Sequence, residues 1–163
     1  FLPIAGFNYG AKKYQRVRES INTAIRYASL LAALVFIFLM VFPQEIASMF
    51  LSDRPDQSAE SLAANSFVLE NITLAMRLVF GATPIIALQL IGAAYFQAIG
   101  KAVPALLLTL TRQGFFFIPL ILILPLYLDE LGVWLSFLFA DVLATVVTGV
   151  YLRREIKSAL VIQ

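Results

Sequence analysis

Cysteine and histidine are both absent from the 163-residue sequence. Their absence removes disulfide cross-links, thiolate nucleophiles, imidazole bases and His- or Cys-ligated metal sites together. Charge is scarce as well: 13% of residues are Asp, Glu, Lys or Arg, against roughly 25% in an ordinary soluble domain. The net charge of +2 leaves no electrostatic footprint for nucleic acid. What the sequence holds in abundance is apolar residues, 61% of the chain, with a mean hydropathy of +0.88. Fourteen Phe and six Tyr against one Trp suit a surface that faces lipid. The composition is that of an integral membrane protein. The sequence opens Phe1-Leu2-Pro3 with neither Met nor a basic leader, so no signal peptide is expected and the chain reads as a piece of a longer protein.

A bilayer core about 30 Å thick takes roughly 20 apolar residues at about 1.5 Å each. Four stretches meet that length, and the sequence predicts an all-α, polytopic membrane protein with spans over 24–43, 72–99, 102–128 and 131–152. Residues 1–23 read as the end of a preceding helix and a basic loop, and 153–163 as a basic tail. Between the first two spans, 44–71 reads as a polar loop. It holds a turn at Asp53-Arg54-Pro55-Asp56, then an amphipathic helix over 58–69 lying flat at the interface on Leu62, Phe67, Val68 and Leu69. The later connections are very short, which predicts an antiparallel four-helix bundle.

Basic residues mark the side retained in the cytoplasm. Lys12, Lys13, Arg16 and Arg18 precede the first span, Lys101 joins the second to the third, and Arg153, Arg154 and Lys157 follow the fourth. The opposite loops carry Glu45, Asp53, Asp56, Glu60, Glu70, Asp129 and Glu130 against Arg54 alone. Both ends of the chain are therefore expected on the cytoplasmic side.

Charge inside a span is expensive and marks function by default. Arg112 lies about 12 Å and Asp141 about 18 Å from the basic ends of their spans, a difference that an Arg side chain bridges. The two are expected to pair or to share a hydrated cavity, and both a functional role and a structural, register-fixing role are open at this point. Thr109, Arg112, Gln113 and Phe116 fall on one helical face at i, i+3, i+4 and i+7. In the fourth span Ser136, Ala140, Ala144 and Thr148 form a small-residue row suited to close packing, with Asp141, Thr145 and Gly149 beside it. Gln89 and Gln97 are expected on nearly one side of the second span. Pro84 and Pro119 are candidate hinges, because an interior proline removes a helix hydrogen bond. Arg77, near the outer boundary, is expected to snorkel to headgroups. Tyr95, Phe115 and Phe116 are candidate stacking partners for a flat cation.

The strings Pro3-Ile4-Ala5-Gly6-Phe7-Asn8-Tyr9-Gly10-Ala11-Lys12, Tyr95-Phe96-Gln97-Ala98-Ile99-Gly100-Lys101-Ala102-Val103-Pro104, and Arg112-Gln113 with Pro119 together resemble the second half of the multidrug and toxic compound extrusion (MATE) family. The resemblance implies that the chain supplies most of the C-terminal lobe of a two-lobed, twelve-helix exporter in the bacterial inner membrane. The remainder of a six-helix lobe and a missing N-terminal lobe would be its protein partners. Its substrates would be cationic or amphipathic compounds, exchanged for protons or sodium ions, with no other cofactor and no metal. The second span carries no acid, so the chain looks closest to the DinF-like branch, whose coupling carboxylate lies in the N-terminal lobe. Arg112, Asp141, Gln89, Gln97, Thr109 and Gln113 are then the candidate cavity or conformational-pairing residues. A lipid-linked saccharide flippase, a four-helix interaction module and, least favoured, an intramembrane enzyme are the competing readings.

Overall fold

The computed structural model describes residues 1–51 and 59–159, and every regular element among them is helical. A short helix α1 (Leu2–Gly10) turns at Ala11–Lys13, with Lys12 at φ 56°, into α2 (Tyr14–Val41). α2 starts ten residues before the predicted span at 24. The reason is that 14–26 is amphipathic: Val17 and Ile21 are fully buried at i and i+4, while Arg16, Arg18 and Arg26 stay exposed.

After Phe42 the chain bends into α3 (Pro43–Leu51), so the stretch predicted as loop from 44 begins as helix. The turn predicted at Asp53-Arg54-Pro55-Asp56 lies outside the described residues. α4 (Ala59–Val79) joins the predicted flat helix to the second span as one element. On it Phe67 is exposed and Leu69 half-buried, whereas the side chains of Leu62 and Val68 lie outside the description. A tight turn at Phe80–Ala82 precedes α5 (Thr83–Ala98). Pro84 therefore stands in the first turn of a helix rather than in an interior. The cause is local: Pro84 has no N–H to offer the Phe80 carbonyl, and that oxygen accepts instead from the Thr83 N–H at 3.0 Å.

The third span is divided. α6 (Ala102–Leu110) passes into a π-helical segment, Thr111–Phe117, and then α7 (Ile118–Ile123). Pro119 lies in the first turn of α7, directly after the widened segment, as expected where a proline ring crowds the preceding turn. α8 (Pro125–Ala159) carries a reversal at Asp129 (φ 48°, ψ −132°). It continues well past residue 152, so 153–159, predicted as tail, is helix.

Among the described residues four stretches are long and apolar enough to cross a membrane: Tyr14–Val41, Asn71–Ala98, Ala102–Ile123 and Pro125–Ser158. Consecutive spans alternate in direction, which leaves α5 and α8 running parallel, both from the acidic end of the bundle to the basic end. α5 is central and packs on α1, α2, α6 and α8. The main core, Val17, Ile21, Tyr95, Phe96, Ala105, Leu108 and Leu152, ties α2, α5, α6 and α8 together near the basic end. Outside it, Leu30, Leu31, Leu34, Ile37 and Phe38 of α2 stand exposed. An apolar face of that extent is stable against lipid or another apolar protein surface, not against water.

Candidate functional site

The structure brings Arg112 and Asp141 together. Arg112 projects from the π-helical segment and Asp141, 2% exposed, from the middle of α8. The Arg112 Nε donates to Asp141 Oδ1, and Nη2 donates to Oδ2 at 3.4 Å, the two-pronged arrangement that suits a guanidinium and a carboxylate. The buried Asp141 carboxylate is not tolerable alone in a low-dielectric interior, so the partly exposed Arg112 is a condition for it.

A cavity of about 300 Å³ opens beside the pair, lined by Arg112, Gln113, Phe117, Phe137, Ala140 and Asp141. The rings of Phe117 and Phe137 meet across it with centroids 4.6 Å apart at 48°. An ordinary helix would set Phe116 on the Arg112 face. In the π-helical segment hydrogen bonds run from i to i+5, so the residue returning to that face is five positions on, Phe117. Sequence periodicity at 3.6 residues per turn points to the wrong phenylalanine for this reason. Phe137, one turn before Asp141, was within reach of the same periodicity and was missed.

These features are set in a scaffold found elsewhere. The MatE family model matches residues 1–123 of the 163. The chain belongs to the MatE family. A solved structure of the MATE multidrug transporter DinF-BH in complex with R6G is 37% identical, with a TM-score of 0.80 over 95% of this chain and 32% of its own. MATE family transporters solved in an inward-facing conformation (21% identity, TM-score 0.83, 96% of this chain and 34% of that one) and an outward-facing one (22%, 0.80, 94% and 32%) share the fold. The chain thus spans about a third of the length of these structures. Among curated proteins none matches it.

On this MatE scaffold the remaining candidates are dispersed. Gln113 lines the cavity, but Thr109 turns outward and its hydroxyl donates to the Ala105 carbonyl at 2.9 Å. Gln89 is buried and Gln97 exposed; eight residues advance a helix about 80° beyond two full turns, enough to send the second to the surface. Tyr95 is buried against Phe96, with centroids 5.2 Å apart, whereas Phe115 is 57% exposed, so the predicted aromatic set does not assemble.

A second ion pair, unforeseen in the sequence, closes the basic end: Lys101 Nζ lies 2.6 Å from Glu155 Oε1. The hydrogen bond to Glu155, joined by its charge, holds the Lys101 ammonium above the usual lysine range against the opposing effect of partial burial. With 42% of its side chain exposed, the pair contributes under about 1 kcal/mol. Because the folded-state value is raised, that stabilisation is complete below the ordinary lysine value of 10.5 and is lost as pH rises through the higher folded value. Melting in detergent should therefore show wild type slightly above Glu155→Gln at neutral pH and the difference closing in strong alkali. A difference that persists unchanged there would refute the assignment.

Proposed function

We propose that the chain is most of the C-terminal lobe of a secondary active multidrug exporter, which moves cationic or amphipathic compounds out of the cell in exchange for protons or sodium ions. The observation that carries this reading is the Arg112–Asp141 pair beside an aromatic cavity in the membrane interior. An ion pair that can open and close supplies a two-state element for alternating access, and two phenylalanines supply faces on which a flat cation stacks. The 37% identity to a transporter solved with R6G supports that substrate class. The coupling ion is assigned mainly to the other lobe, since α5 and the uncharged run around it offer no acid. The basic residues gathered at one end of the bundle support a cytoplasmic position for both ends of this chain, in a bacterial inner membrane. A flippase for lipid-linked pyrophosphates is disfavoured because the cavity's one cation is already neutralised by Asp141.

The test uses the full-length protein in proteoliposomes, with rhodamine 6G as substrate and an imposed proton or sodium gradient. Gradient-driven dye movement that stops when the gradient is collapsed is the expected result. No dye movement under either gradient, with movement of a lipid-linked saccharide instead, would overturn the reading.

A further inference from the structure

Away from the Arg112 cavity, α5 and α8, which pack in parallel, carry four buried polar atoms with no hydrogen-bond partner among the described residues: Gln89 Oε1, Tyr95 OH, Thr145 Oγ1 and Thr148 Oγ1. An unpartnered buried polar atom is unfavourable by about 1–3 kcal/mol, so four along one seam require an explanation. Hydroxyls elsewhere in these spans satisfy themselves by donating one turn back: Thr109 to Ala105 O at 2.9 Å, Thr111 to Leu107 O at 2.7 Å and Ser136 to Gly132 O at 2.7 Å. Thr145 and Thr148 decline that local option.

The four residues follow one helical register. Gly92 lets α5 approach α8 closely at Thr148, where an added Cβ would come within 2.4 Å of the Thr148 Cγ2. With the helices parallel and in that register, Gln89, one turn earlier on α5, falls level with Thr145, one turn earlier on α8. Thr145 in turn stands one turn after Asp141. In the other direction Tyr95 packs in one cluster with Leu152, one turn after Thr148 on α8, and Glu155 of the Lys101–Glu155 pair follows three residues further on. A cavity of about 270 Å³ meets the seam at Thr145 and extends past Gly149 to Arg153 at the basic end.

We propose that this seam holds a file of ordered water connecting the Asp141 site to the basic face of the bundle. Water both donates and accepts, which suits an amide oxygen that only accepts and three hydroxyls that do either, and the adjoining space exceeds the volume of a single water several times over. A bare monovalent cation fits less well. The four atoms are neutral, and the carboxylates at the two ends are each already held by a basic partner.

Hydroxyl-radical footprinting of the full-length protein in nanodiscs tests this on the wild type. Tyr95 and Phe96 are neighbours and both fully buried, so bulk solvent reaches neither. A hydrated seam generates radicals beside the Tyr95 hydroxyl, and Tyr95 is expected to oxidise several-fold faster than Phe96. Replacing both threonines (Thr145→Val and Thr148→Val) keeps the side-chain shape, removes two water partners and should lower Tyr95 oxidation without raising the melting temperature. Tyr95 as silent as Phe96 would overturn the proposal. So would a double variant that melts higher than wild type, the result for a dry seam relieved of two unpartnered hydroxyls, or Tyr95 oxidation indifferent to the two substitutions.

Discussion

Arg112→Ala is expected to destabilise the folded bundle by about 3–5 kcal/mol, because it strands the Asp141 carboxylate in a low-dielectric interior. Asp141 is 2% exposed and accepts both of its side-chain hydrogen bonds from Arg112, so no other charged group among the described residues replaces the lost partner. Replacing the two together, Arg112→Met with Asp141→Leu, removes the unpaired charge along with the pair. Buried ion pairs exchanged for apolar residues of similar size are often neutral or stabilising, and the double variant should melt close to wild type. The two readings of the pair then separate on transport. A purely structural pair predicts that rhodamine 6G flux returns with stability in the double variant. The proposed conformational role predicts that stability returns and flux does not. Melting in detergent and flux in proteoliposomes, run on the same preparations of the full-length protein, decide between them.

The parts of this fold legible in the sequence follow from quantities that do not depend on partners. Hydropathy and length are summed along the chain, so the four spans could be located before any packing was known. The depths of Arg112 and Asp141 are rise per residue counted from the basic ends, which suffices to bring the two side chains within reach. The row Ser136, Ala140, Ala144 and Thr148 was read from spacing alone, and all four are buried. What escaped depends on hydrogen bonding that no residue type announces. The π-helical turn at Thr111–Phe117 changes the local period from 3.6 and swaps Phe116 for Phe117 beside Arg112. The polar seam depends on the register of α5 against α8, set by the close approach of Gly92 to Thr148, and on which rotamer two threonines adopt, which spacing does not announce. Helix ends were the least legible feature. The polar stretches 14–23 and 153–159 look like loops by hydropathy, yet they continue as helix, the first because a narrow apolar stripe, Val17 and Ile21, meets the core.

Gly132→Ala should be the most damaging substitution that adds only one carbon. A Cβ at Gly132 would lie 2.5 Å from the Leu124 carbonyl carbon and oxygen and 2.6 Å from the Pro125 nitrogen. All three are backbone atoms at the junction of α7 and α8, on the arm that precedes the Asp129 reversal, and the Leu124 oxygen is held by the N–H groups of Tyr127 at 3.1 Å and Leu128 at 3.0 Å. A side chain could rotate away from such a contact, but this arm has to move as a unit. Separating it from the part of α8 after Asp129 lifts α7 and the π-helical segment off the helix that carries Phe137 and Asp141, so the damage travels from a tight contact to the buried pair. The expected loss is about 3 kcal/mol, the upper end for an overpacked site, accompanied by a fall in rhodamine 6G flux. Gly114→Ala is the matched control, since its added carbon meets only the Leu110 Cβ at 3.9 Å, an ordinary contact, and it should melt near wild type. If Gly132→Ala melted as close to wild type as the control, the close packing of the α7–α8 junction against Gly132 would be wrong, and with it the path by which that junction positions Arg112 against Asp141.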